Sequence, residues 1–419
     1  DSIILGHYVG ESGIAIVGVA NPINFIVMGF LIGSAYGFGV IMARSFGAGD
    51  FKEFRKYFFN SIILSIIIGI VFTIVLSLVN SYLLELISTP AELFDGAHKF
   101  LFILYIGCAS SLIYNLFAAT LRSIGNSFTP VLFLLLSVVI NAILAYVFVA
   151  IFGWGVEGSA VATIIAQSAS ALCCYIYINR KYPQIRLTKE DAVLDISHMK
   201  SLILQGAPMG MQFSFTGIGL IVVQKFLNGF GTNYIAGYSV GVRIQNIVSY
   251  VYVALGTAIS TFISQNIGAK RMYRIPKAVK YTTLITIGCA IFSTIVIRFF
   301  GPNFISLFTT APNEELTHAT VTYFNNVTLA YIPLGLIILY RSALQGYGFP
   351  ITAMMAGIIE LINRVVIVIF LTDTFGFLAI CLADSVNWVI TAAFLLTVYF
   401  IATRSHKNKN KAFYIEPSM

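Results

Sequence analysis

Charge is what this chain has least of. Asp, Glu, Lys and Arg together make up only 10% of it, hydrophobic residues make up 58%, and the mean hydropathy is +0.88. So few charges cannot cover the surface of a water-soluble protein of 419 residues, which leaves lipid as the solvent. Histidine is equally thin: the five are scattered, none at ligand spacing, and no Asp-x-x-Asp cluster stands at a membrane edge. Polytopic transferases and phosphatases gather carboxylates or histidines for metal and phosphate work, so an enzyme is not expected, nor a bound metal or cofactor. The five cysteines (Cys108, Cys173, Cys174, Cys289 and Cys381) lie in apolar stretches, at spacings that suit neither a metal site nor a disulfide framework. Rings of charge around a pore and repeated filter segments, which a channel would need, are missing as well.

What the chain does have is long uncharged runs. A bilayer core takes about 20 apolar residues per helix. Runs of that size cover 12–43, 57–84, 100–121, 123–156, 158–179, 201–224, 244–269 and 316–340, and weaker ones with one or two charges cover 281–300, 342–371 and 375–403. These predict eleven spans and an all-α polytopic membrane protein. Pro333 falls within one run and Pro208 follows Gly206 in another; each can bend its helix where protein packs around it, and Pro333 is the stronger hinge candidate. Pro22, near the start of its run, reads as ordinary helix N-terminal chemistry.

The chain also repeats itself. Gly47-Ala48 and Gly268-Ala269 each end an apolar run, and their numbers differ by 221. The same offset relates Ile14-Ala15 to Ile235-Ala236, Gly155 to Gly376 and Ala162 to Ala383. An offset of 223 relates Leu121–Gly125 to Leu344–Gly348. Several matches in one order at nearly one offset mean a duplicated bundle. In a membrane chain, two similar halves suit a transporter whose central site opens alternately to either side. The predicted organisation is an N-terminal bundle over 1–180, a linker over 181–200, a C-terminal bundle over 201–403 and a polar tail over 404–419, the bundles having six helices each and a pseudo-twofold relation. The chain opens on Asp1, and the offset places about twenty residues of a first helix ahead of it, so this reads as a twelve-helix protein with most of its first helix missing.

The net charge of +8 is unevenly placed. With the loop at 6–13 set outside and the spans alternating, most basic residues fall inside: Arg44–Lys56, Arg180–Lys200, Lys270–Lys280 and Arg404–Lys411. The outer segments hold Lys99 and Arg298 with Glu85, Glu92, Asp95, Glu157, Glu314, Glu315 and Asp373. This asymmetry fits the positive-inside rule, with both ends of the full-length protein in the cytoplasm. The basic patches face anionic lipid rather than nucleic acid.

Ionisable groups within spans each cost a few kcal/mol on insertion scales and so call for a role. They are Asp1, Lys225, Arg243, Arg341, Glu360, Arg364 and Asp384. Asp1 is the first candidate for ion coupling, since a carboxylate exchanges a proton or holds sodium among neutral oxygens; its other reading is a helix-end residue near water. Glu360 and Arg364 share a helix face at i, i+4, as a structural pair or as a gating contact. Asp384 either neutralises Arg341 or Arg243 or attracts a cationic substrate. Tyr114, Gln167, Met209, Gln212, Tyr250 and Tyr340 are candidates to line a polar, aromatic cavity for flat organic cations, or else they pack between helices.

The Arg44–Asp50 turn, Gly206-Ala-Pro208, the Gln265–Arg271 turn, the run INAILAYVF followed by GVEGSAVAT, and Asp1 before Gly6 and Gly10 together resemble the multidrug and toxin extrusion (MATE) transporters, most nearly their DinF-like branch. The resemblance implies a monomeric cell-membrane protein, a V-shaped pair of six-helix bundles, exporting organic, often cationic, drugs and toxins against an inward sodium or proton gradient, with no cofactor. It also implies an N-half cation pocket of an Asp matching Asp1, an Asn matching Asn141 and a Thr matching Thr163. The pocket's second Asp is absent: the family pattern Asn-x-x-Leu-Asp-Tyr reads Asn141-Ala-Ile-Leu144-Ala145-Tyr146, which favours one proton over sodium. A C-half site known in another branch would need carboxylates where Thr216 and Leu334 stand. The alternative within the superfamily is a lipid-linked sugar flippase or polysaccharide exporter, for which Arg243, Arg341 and Arg364 could hold a pyrophosphate.

Overall fold

A computed structural model describes residues 2–305 and 313–414. The described residues form helices and short turns, with no strand among them. Among the described residues, ten helices are long and apolar enough to cross a membrane, and a bent pair makes up to eleven.

The chain divides into two compact units, Asp1–Ser214 and Phe215–Met419. The first holds α1 (Ser2–Tyr8), α2 (Glu11–Gly47), α3 (Phe51–Leu86), α4 (Ala91–Ile106), α5 (Cys108–Ser123), α6 (Phe128–Ala145) and α7 (Gly155–Lys181). Helix α8 (Ile196–Leu227) is shared, its first part belonging to the first unit and its last turns to the second. The second unit adds α9 (Thr232–Gly268), α10 (Ile275–Ile305), α11 (Glu314–Val327), α12 (Tyr331–Tyr347), α13 (Pro350–Phe375) and α14 (Phe377–Lys409).

The duplication seen in the sequence governs each unit's internal packing. In the first, α2 packs on α4 and α5, α3 on α4 and α5, α7 on α5 and α6. In the second, α9 packs on α11 and α12, α10 on α11 and α12, α14 on α12 and α13. The turns repeat as well. Gly10, Gly125 and Gly155 have φ of 85°, 89° and 59°; Gly231, Gly348 and Gly376, their counterparts in the second unit, have 90°, 93° and 56°. Only glycine enters this region without steric cost, which is why glycine marks these turns in both copies.

Even the defects are duplicated. Helices α4 and α5 meet at a bend of 47° at Gly107, where the sequence showed one uninterrupted run. Its counterpart by the repeat offset, Thr328, opens the 3-10 turn Thr328–Ala330 between α11 and α12. A break in a span frees backbone carbonyls that no water can satisfy, and a neighbouring hydroxyl is one remedy. Thr73 of α3 donates to the Tyr105 carbonyl at 2.5 Å. Thr294 of α10, the counterpart of Thr73 at the same offset, donates to the Thr328 carbonyl at 2.9 Å.

Pro22 and Pro208 both lie in helix interiors. Pro22 is well within α2, which already starts at Glu11, so it is an interior proline rather than an N-terminal one. Pro208 is inside α8, where small residues let the backbones of α2 and α8 meet: a Cβ on Gly33 would lie 2.4 Å from the Met209 carbonyl oxygen, and one on Gly37 would lie 2.5 Å from Gly206 Cα.

The polar stretch after α7 is tied back to α3. Arg55 Nε donates to Asp191 at 2.8 Å and its Nη1 to the Gln184 carbonyl at 2.9 Å. Partial burial raises the Asp191 carboxyl, but the hydroxyl and backbone N–H of Thr188, together with Arg55, outweigh it and hold the group below the usual carboxylate range.

Candidate functional site

Each unit carries a polar cluster that bears on the expected chemistry, among other buried polar groups. In the first, the cluster lies between α6 and α7. Asn141 Nδ2 donates to Thr163 Oγ1 at 3.1 Å, and Thr163 donates to the Ser159 carbonyl at 3.0 Å. Ala145, where the family pattern has Asp, is fully buried at the end of α6. The chain then widens into a π-helical turn, Tyr146–Ile151. Such turns open the regular hydrogen-bond ladder and recur at functional sites. Helix α1 packs against this turn and against α7, with the Tyr8 and Tyr146 rings edge to face at 5.9 Å. Asp1 itself lies outside the described residues.

In the second unit the cluster is ionic. Glu360 of α13 bonds Arg341 of α12 and accepts from Thr216 of α8 at 3.2 Å. Arg364, one turn further along α13, lies 3.9 Å from Glu360 and donates from Nε to Asp384 of α14 at 3.2 Å. Glu360, Arg364 and Asp384 are each only 4% exposed. Two guanidinium groups and two carboxylates leave the network formally neutral, which is the condition under which buried charges are tolerable. The same two helices, α13 and α14, are also joined by Asn363 donating to Asn387 at 3.3 Å. Among the described residues, the buried Arg341 Nε, Arg364 Nη1 and Asn387 Nδ2 have no hydrogen-bond partner, so three donors stay free for water or a ligand.

The sequence had shown Glu360 and Arg364 as neighbours on one face, and they are. Asp384 meets Arg364 rather than the expected Arg341 or Arg243, because Arg341 is taken by Glu360. Thr216, which stands where another branch carries a carboxylate, instead joins the network as a donor.

The other candidates scatter. Tyr114 donates to the Pro130 carbonyl at 3.4 Å, Gln167 accepts from Ser111 across α5 and α7, and Met209 and Gln212 are buried on α8. Tyr340 meets Thr283 at 3.2 Å and lines a cavity in the second unit. Tyr250 is 70% exposed on α9. Pro333 occupies the first turn of α12, immediately after the break at Thr328–Ala330.

Residues 1–147 and 208–370 match the profile of the family described as MatE, one stretch in each half of the duplication. The chain belongs to the MatE family. It is therefore a multi-pass membrane protein of a transporter family. It is 26% identical over 319 residues to the "Probable multidrug resistance protein YpnP" of Bacillus subtilis (strain 168), covering 75% of this chain and 70% of that protein. It is 23% identical over 364 residues to an "FAD transporter" of Shewanella oneidensis, covering 84% and 78%. Among solved structures, "Crystal structure of MATE in the bent conformation" matches with a TM-score of 0.88 at 19% identity, covering 99% of this chain and 91% of that one.

Proposed function

We propose that this MatE transporter is an antiporter that exports organic, often cationic, compounds across the cell membrane, driven by an inward proton or sodium gradient through alternating access. The observation that carries this reading is the Asn141–Thr163 hydrogen bond at 3.1 Å, which unites two of the three residues expected to form the N-half cation pocket. Asp1 supplies the carboxylate of that pocket. With Ala145 in place of the family's second Asp the pocket holds one negative charge, which suits a single proton. The basic helix ends at Lys270–Lys280 and Arg404–Lys407 set the inner side, so both ends of the full-length protein are cytoplasmic. Pro333, next to the break at Thr328–Ala330, is the hinge of the second unit.

The lipid-linked sugar reading fares less well. It asks for cations to hold a pyrophosphate, whereas Arg341 and Arg364 face Glu360 and Asp384.

Purified full-length protein in liposomes, with proton and sodium gradients imposed separately, tests the proposal. Dye efflux should follow one gradient, and Asp1→Asn should abolish the coupling while membrane expression stays normal. Retained gradient-driven efflux in that variant overturns the coupling role of Asp1.

A further inference from the structure

The second unit contains a cavity of about 610 Å³ bounded by α10, α12 and α14. Its two ends differ in chemistry. Lys280, Arg404 and Lys407 stand at one end, and no carboxylate lines it among the described residues. At the other end Leu284 and Phe400 are 55% and 62% exposed, which in a membrane chain means contact with acyl chains. Between them stand Tyr340, Tyr347 and Tyr399, with the Tyr340 and Tyr399 rings edge to face at 4.9 Å. The turn Lys411–Tyr414 folds back over the basic end, where Tyr414 meets His406 at 3.2 Å.

The duplication supplies an internal control. The first unit has a cavity of about 460 Å³ lined by Phe59, Ile62 and Phe117. Adding 221 to the first two and 223 to the third gives Lys280, Thr283 and Tyr340. The fold thus makes a cavity at this place in both units, and packing alone is served by apolar residues. Only the second copy carries a cation and two hydroxyls at these three positions.

From this we propose that the cavity of the second unit binds an anionic glycerophospholipid of the cytoplasmic leaflet. The phosphate lies among Lys280, Arg404 and Lys407, the glycerol region against the tyrosine hydroxyls, and the acyl chains pass out over Leu284 and Phe400. Basic pockets between helices on the cytoplasmic side are suited to such headgroups. The net positive lining repels organic cations, so the site is distinct from the export path. Tyr340 adjoins Arg341 in sequence, so the bound lipid holds the part of α12 that reaches Glu360.

The test uses the full-length protein in neutral detergent, titrated with phosphatidylglycerol or phosphatidylcholine, with retained lipid counted by native mass spectrometry. The unaltered protein should retain phosphatidylglycerol at least about ten-fold better than phosphatidylcholine, and salt should erode the difference. The variant Lys280→Phe/Thr283→Ile/Tyr340→Phe, which installs the first unit's own residues, should lose most of the preference. Removing exposed lysines elsewhere (Lys52→Ala/Lys181→Ala/Lys189→Ala) should not. Equal retention of the two lipids by the unaltered protein overturns the proposal without recourse to any variant. Displacement of phosphatidylglycerol by millimolar inorganic phosphate would mark a free-phosphate site and overturn it too. No transport step enters the readout, so failure here leaves the export reading untouched.

Discussion

Lys270 holds the left-handed backbone that Gly49 holds at the matching place in the first unit, at φ 56° against 72°. The turns around them make the same bonds: Asp50 N–H to the Ser45 carbonyl at 3.1 Å, and Arg271 N–H to the Asn266 carbonyl at 2.9 Å. A side chain in this region costs about 1–2 kcal/mol, offset by the greater entropy glycine loses on folding, about 0.5–1 kcal/mol. Lys270→Gly is therefore expected to raise the melting temperature slightly, reduced by the lost contact of its ammonium with the Phe413 ring. Gly49→Ala, with nothing near the added carbon, should lower it by the equivalent of about 1 kcal/mol. Thermal unfolding in detergent reads both signs, and a drop for Lys270→Gly counts against the strain.

Arg364 faces two carboxylates, so its loss should be the severest single change in the second unit. Removing one partner of a buried ion pair costs about 3–5 kcal/mol, because the other is left uncompensated. Arg364→Met is expected to fold poorly. Arg364→Met/Asp384→Leu keeps the Arg341–Glu360 pair and removes the stranded charge, so it should recover most of the folded yield. Size-exclusion recovery and melting temperature compare them. Equal damage in single and double variants would mean that the network is not held by charge balance.

How far this was legible beforehand depends on the kind of order involved. Spans follow from runs of uncharged residues, and the turns at Gly125 and Gly348 from their repetition, because both are local. The Glu360–Arg364 face was visible for the same reason. The Arg341–Glu360 and Arg364–Asp384 pairs were not, since they depend on how three helices are rotated against each other. Nor was the bend at Gly107, where composition runs on unbroken and only the distant partner at residue 328 could have hinted at it.

Thr73 and Thr294 are the two copies of one device, each supplying a hydroxyl to a carbonyl at a broken span. Such bonds between membrane helices are worth about 0.6–1.7 kcal/mol. Thr73→Val and Thr294→Val should each destabilise by about 1 kcal/mol, while the serine variants hold near the starting value. Melting temperatures of the four single variants settle it; valine and serine behaving alike would leave the hydroxyls without this role.

Asp191 gives the linker a pH dependence. Its carboxyl is held below the ordinary range in the folded chain, so the stabilisation is fully present above the unfolded value of about 3.9 and is lost as pH falls through the lower folded value. Asp191→Asn should therefore cost about 2 kcal/mol at neutral pH, the worth of a hydrogen bond to a charged group. The gap between variant and parent should close in acid. Protease cleavage across 181–195, followed against pH, tests it; a gap independent of pH would assign the effect to packing.

Ala145 is the place where one residue should change the driving ion, if the pocket proposed around Asp1 is right. It is fully buried, at i+4 from Asn141 and so one turn along the same helix face. Ala145→Asp restores the second carboxylate of the family pattern. Sodium is held best by several oxygens with more than one formal charge, whereas a lone carboxylate is satisfied by a proton. The variant should thus gain sodium-driven efflux relative to proton-driven efflux in liposomes, at some loss of expression because a second acid is buried. Thr163→Val in the same background should remove the gain, since it deletes the oxygen that Asn141 now engages. If Ala145→Asp folds and its ion preference equals the parent's, the cation site does not lie between α6 and α7.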